Sequence, residues 1–149
     1  MNILLIEDDE VDAEAVRRTL AQCHLKGEDA PPGARVVHVD YFRKALELLQ
    51  GGAEFDVILL DLHLPDGQGE QLLRDLWEKY GKAPVVVLTG LNASEEQGIK
   101  LVRAGAQDFV PKSEINVPTL TRTILYAIER HQLHRRIERQ AQELQDINE

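Results

Sequence analysis

Hydrophobic residues fall along this chain in two alternating rhythms. Short unbroken apolar runs, bounded by acids, prolines or glycines, predict buried strands. Between them apolar residues recur every three to four positions, the spacing of one helix face. The first run, Asn2–Ile6, ends at Glu7, Asp8, Asp9 and Glu10. Residues 11–23 follow, with Val11, Ala15, Val16 and Leu20 at helical spacing. Residues 25–34 hold Gly27, Pro31, Pro32 and Gly33 and predict a long surface loop. Arg35–Val39 predicts a second strand. Asp40 is then the expected N-cap of a helix that turns Phe42, Ala45, Leu46 and Leu49 inward, until Gly51 and Gly52 stop it.

The central run, residues 57–60, leads straight into Asp61. Pro65, Gly67 and Gly69 turn the chain before a helix from about Gly69 to Tyr80, with Leu72, Leu73, Leu76 and Trp77 as its expected buried face. A fourth strand over residues 85–88 delivers Thr89 and Gly90. Ser94 and Gln97 form a capping-box pattern for a helix carrying Ile99, Leu101, Val102 and Ala104. A short fifth strand, residues 108–110, precedes Pro111, Lys112 and Ser113, and Pro118 sits in the first turn of a last helix. Strands alternating with helices five times predict an α/β fold: a doubly wound, five-stranded parallel sheet with helices on both faces and right-handed crossovers.

The last helix is longer than one domain needs. No proline or glycine interrupts residues 119–149. Past His131 the sequence is mostly polar and keeps only a thin apolar stripe at Leu133, Ile137, Leu144 and Ile147, with Gln140 between. That spacing fits a heptad seam. The expectation is a domain over residues 1–130 and a helical extension over 131–149, a coiled-coil linker to an output domain or a dimer partner; a frayed solvated tail is the plainer alternative. The stripe stops in mid-pattern at Glu149, which reads as a fragment of a longer protein, with a natural end as the alternative.

Composition narrows the function. Charged residues make up 29% of the chain and the net charge is −9, against nonspecific nucleic-acid or anionic-membrane binding. No apolar run approaches the ~20 residues that span a bilayer, and the short apolar start turns acidic at Glu7, unlike a signal peptide. Cys23 is the single cysteine, so no internal disulfide is possible, which suits the cytoplasm; it reads as a small buried residue. His24, His38, His131 and His134 offer no metal cluster, and His131 and His134, three apart on a helix, read as surface residues.

The strand ends carry the chemistry. In open α/β sheets, ligands bind outside the carboxyl ends of the strands. Glu7 and Asp8 leave the first strand there, Asp61 the third, Thr89 the fourth and Lys112 the fifth. Three carboxylates in one crevice stay ionised together only beside a cation, and oxygen-only ligands suit Mg²⁺. A metal, an ammonium and a hydroxyl around one carboxylate are what a transferring phosphoryl group requires, with the aspartate as acceptor.

Four stretches, ILLIEDDE, ILLDLHLPDGQG, VVVLTG and AGAQDFVPK, in that order over residues 2 to about 130, resemble the response-regulator receiver domain of two-component phosphorelays. The resemblance implies a flavodoxin-like strand order 2-1-3-4-5. It implies that Asp61 takes a phosphoryl group from a sensor histidine kinase or phosphotransfer protein. Glu7, Asp8, Asp61 and the backbone carbonyl of His63 would hold Mg²⁺. Thr89 and Lys112 would contact the phosphoryl oxygens, Gly90 would keep access open, and Thr89 with Phe109 would form the switch. Such a module is cytoplasmic and is not an enzyme; a homodimer through the last helix and no membrane or nucleic-acid contact complete the expectation.

Four departures stand out: Glu7 where aspartate is commoner, Ser113 where proline usually follows the lysine, Phe109 without a tyrosine hydroxyl, and the long loop 25–34. Two rival functions remain. One is an interaction module that never takes a phosphoryl group. The other is an aspartyl-phosphate hydrolase using His63 or Asp66 as general acid.

Overall fold

Strands in the middle of a parallel sheet are covered on both sides and need near-continuous apolar sequence. In the computed structural model, which describes residues 1–90 and 95–148, the strands are β1 (Asn2–Ile6), β2 (Arg35–Val39), β3 (Val57–Asp61), β4 (Val85–Thr89) and β5 (Asp108–Pro111). They form one parallel sheet in the order β2-β1-β3-β4-β5, as expected. The three central strands are buried almost throughout, while the valine-rich edge β2 is mostly half-buried.

The helices are α1 (Glu10–Leu20), α2 (Phe42–Gln50), α3 (Glu70–Lys79), α4 (Glu95–Arg103) and α5 (Val117–Asn148). Alternation along β3 divides the core. Ile58 and Leu60 join Leu4 and Ile6 beneath Phe42, Leu49, Leu73, Leu76 and Leu101 of α2, α3 and α4. Val57 and Leu59 face Ala13, Val16 and Leu20 of α1 and Leu120, Ile124 and Ala127 of α5.

Several local expectations are corrected. The first helix stops at Leu20, and its buried residues are Ala13, Val16 and Leu20; Val11 and Ala15 are exposed. Cys23 lies buried in the turn that follows. Asp40 does not cap α2 but reaches Lys44 instead, with Oδ1 accepting from Nζ at 2.7 Å. The free amides of α2 are met from across the structure by Asp66, whose two oxygens accept from Phe42 N and Arg43 N, each at 2.9 Å. Trp77, Ile99 and Val102 are substantially exposed, because the sheet covers only the narrower stripe of each helix formed by Leu72, Leu73 and Leu76 or by Leu101 and Ala104. Ser94, half of the proposed capping box, lies outside the described residues. Leu46 packs half-buried against the α2 side of the core.

The chain after β3 makes a short hairpin, His63–Leu64 against Gly67–Gln68. A Cβ at Gly67 would press into the Leu72 side chain, which would have to shift, and Gly69 enters α3 with φ +70°. Lys112 opens a 3₁₀ turn, Lys112–Glu114. Asn116 Oδ1 then accepts from Thr119 N at 2.9 Å and caps α5.

α5 runs unbroken for 32 residues. Its first part is tied down. His131, expected at the surface, is buried at 5% exposure, with Trp77 edge-on to its ring at 6.3 Å, and burial pushes the pKa of the imidazole down. Arg135 donates to the Lys82 carbonyl at 3.3 Å. Beyond, Leu133, Ile137, Leu144 and Ile147 are each more than half exposed. No helix among the described residues is long and apolar enough to cross a membrane.

Candidate functional site

The parallel register brings β1, β3, β4 and β5 to one rim. Ile6 pairs with Leu60, Asp61 with Leu88 and Thr89 with Pro111, so the residues that follow each strand meet at the carboxyl edge. Carboxylate oxygens of Glu7, Asp8 and Asp61 lie within 4.8 Å of one another. Glu7 is fully buried and Asp61 nearly so, while Asp8 is exposed.

Lys112 reaches this cluster from β5. Its Nζ lies 3.4 Å from Asp61 Oδ2 and 2.9 Å from Glu7 Oε2. The Glu7 contact is an ion pair, and beyond it Glu7 Oε2 has no hydrogen-bond partner among the described residues. Oε1 accepts from Asp9 N at 3.1 Å. Burial, with the neighbouring Asp61, pushes the Glu7 carboxyl up to about 7, against the lowering pull of Lys112. Burial works against the Lys112 ammonium, but Asp12, Glu7 and Asp61 outweigh it and hold its pKa above the ordinary value.

Two features of this rim suit an incoming ligand. Glu7 is buried, crowded by a second acid and short of a donor, which is the condition that a hard cation relieves; the acid-only donor set fits Mg²⁺. Thr89 Oγ1, buried on the same rim, has no hydrogen-bond partner among the described residues, and a buried hydroxyl left without one calls for an explanation. At Gly90 a Cβ would meet nothing within 4 Å, so the space beside Thr89 is open. Phe109 is half-buried beside the α2–α3–α4 core, with its ring flush against the backbone of Gly98 on α4, where a Cβ would collide with it.

A family model described as the response regulator receiver domain matches residues 3–124. The chain belongs to the response regulator receiver family. Among curated relatives, the KDP operon transcriptional regulatory protein KdpE of Escherichia coli is 33% identical over 130 residues, 87% of this chain and 52% of that protein. The transcriptional regulatory protein QseB of the same species is 34% identical over 115 residues, 75% of this chain and 46% of that protein. The receiver chain thus spans about half the length of these relatives. Among solved structures, the signal receiver domain of a putative LuxO repressor protein from Vibrio parahaemolyticus superposes with a TM-score of 0.72 at 26% identity, covering 92% of this chain and 96% of that one.

Three contacts that build the receiver rim escaped the sequence reading. Asp12, in the first turn of α1, accepts from Lys112 Nζ at 2.8 Å. His38 Nε2 lies 2.7 Å from the Glu7 carbonyl; a carbonyl only accepts, so Nε2 carries the proton and fixes the turn that presents the acids. Asp66 ties the loop after Asp61 to α2. Burial raises the Asp66 carboxyl, but the amides of Arg43 and Phe42 prevail and leave its pKa lowered; both its oxygens are taken up as acceptors at the start of α2. None of the three has a local signature: each partner lies 23 or more residues away.

Proposed function

We propose that this receiver is the phosphoacceptor of a two-component pathway, with Asp61 taking the phosphoryl group from a phosphohistidine on a sensor histidine kinase or phosphotransfer protein. An Asp61 carboxylate oxygen attacks phosphorus, the P–N bond breaks, and the donor imidazole keeps the electron pair and takes up a proton. Glu7, Asp8, Asp61 and the backbone carbonyl of His63 would hold Mg²⁺, which supplies charge neutralisation for the equatorial oxygens. Lys112 supplies a second positive charge to those oxygens, and Thr89 a hydroxyl donor.

The observation that carries this reading is the pairing of an acid cluster, two of its three members buried, with one lysine and an unpartnered hydroxyl on a single rim. Turning Thr89 toward the phosphoryl group would let the Phe109 ring leave its seat on Gly98. The face of α4, β5 and α5 would then change shape. Residues 1–130 would be the receiver and 131–149 a coiled-coil linker, pairing with a second copy through Leu133, Ile137, Leu144 and Ile147. The setting would be the cytoplasm, and the module would turn over only by slow self-dephosphorylation.

Incubation with Mg²⁺ and a small phosphodonor, followed by intact mass, tests it. One slowly decaying adduct that Asp61→Asn abolishes is expected. Rapid release of phosphate through many cycles would favour a hydrolase. No adduct at all would leave an interaction module built on the exposed α5 stripe.

A further inference from the structure

Lys112 has one more carboxylate than the phosphoryl chemistry uses. Two of its partners, Glu7 and Asp61, belong to the acid cluster. The third, Asp12, stands apart on the first turn of α1 and makes the shortest contact, Oδ2 accepting from Nζ at 2.8 Å. Asp12 is also pre-set, because Asp9 Oδ1 accepts from its backbone amide at 2.9 Å and fixes the start of the helix.

A divalent cation and an ammonium compete for the same oxygens. When the cation takes Glu7 and Asp61, the lysine loses two of its three partners, and a largely buried ammonium without a partner is costly. We propose that Asp12 is a positioning residue: it keeps Lys112 anchored at the edge of the cluster while a divalent cation occupies Glu7 and Asp61. Asp12 suits that task. Its side chain is 41% exposed, so holding a charge costs it little desolvation, unlike buried Glu7. The anchored amine stays beside Asp61, ready for an oxyanion that develops there.

The inference rests on the Mg²⁺ reading of the site, and calorimetric Mg²⁺ titration separates the two. At pH 8, Asp12→Asn is expected to weaken Mg²⁺ binding roughly fivefold or more while Lys112 is present. In a Lys112→Met background the same change should cost only about twofold, the screened pull of one remote negative charge. Lys112→Gln should behave as Lys112→Met does, and Asp12→Glu should recover most of the affinity. An equal loss in both backgrounds would overturn the proposal, since Asp12 would then act only as a distant charge; so would unchanged affinity in Asp12→Asn. A wild-type protein that binds no Mg²⁺ would overturn the metal site itself, and this inference with it.

Discussion

Glu7 is a buried acid whose pKa is displaced, and the displacement makes stability depend on pH in a defined direction. Its carboxyl stands at about 7 in the metal-free fold against 4.5 ordinarily. The folded protein therefore holds this proton more tightly than the unfolded chain does. Below about pH 4.5 both states are protonated and the group is neutral to stability; between 4.5 and 7 a penalty accumulates; above 7 it is complete. At roughly 1.4 kcal/mol per pH unit, the full penalty is on the order of 3 kcal/mol. Glu7→Gln removes the charge and keeps the shape, and Lys112 retains Asp12 and Asp61. In chelator, the stability of Glu7→Gln minus that of wild type should climb by about 2 kcal/mol from pH 5 to pH 8, the remainder of the penalty having already accumulated below pH 5. Urea unfolding, read by the fluorescence of Trp77, measures it at each pH, and the subtraction cancels the histidines common to both proteins. The apparent Mg²⁺ affinity of wild type should fall about tenfold per pH unit below 7 and level off above it, because binding requires the ionised acid. A flat difference across the pH range would refute the reasoning, for Glu7 would then titrate like a solvated glutamate.

Three further outcomes follow from the packing. Asp66→Ala leaves two amides of α2 without their cap and should cost about 1 kcal/mol, a drop of a few degrees in Tm, whereas Asp40→Ala, which breaks only an exposed pair with Lys44, should leave Tm nearly unchanged. Gly98→Ala should destabilise by roughly 1–3 kcal/mol through collision with the Phe109 ring, although helix propensity alone favours alanine; adding Phe109→Ala should remove that specific penalty in a thermal double-mutant cycle. Ile137→Asp should abolish any self-association seen by sedimentation while leaving Tm within about a degree, since Ile137 lies on an exposed surface away from the core.

Much of this was legible in the sequence because buried parallel strands must be apolar throughout. The runs ending at Ile6, Leu60 and Leu88 could be read as central strands, and the polar residues just past them could be placed on one rim. Helix faces were less legible. Trp77, Ile99 and Val102 sit at helical spacing with true core residues, yet they fall outside the buried stripe, and sequence does not state how wide that stripe is. Caps and anchors were least legible. Asp40 has the chemistry and position of a cap, but Asp66, 24 residues away from Phe42, is held by its hairpin at better geometry. Asp12 looks like any polar residue of a first turn until Lys112, 100 positions later, is folded against it. His131 reads as polar surface in the sequence, and only the approach of Trp77 makes it interior.

The acceptor role of Asp61 is tested most directly by reducing the phosphorylated protein. Borohydride converts an acyl phosphate of aspartate to homoserine, and peptide mass mapping then locates the altered residue. After exposure to Mg²⁺ and a phosphodonor, homoserine should appear at position 61 and nowhere else. A modified Asp8 or Asp12 with Asp61 intact would contradict the account.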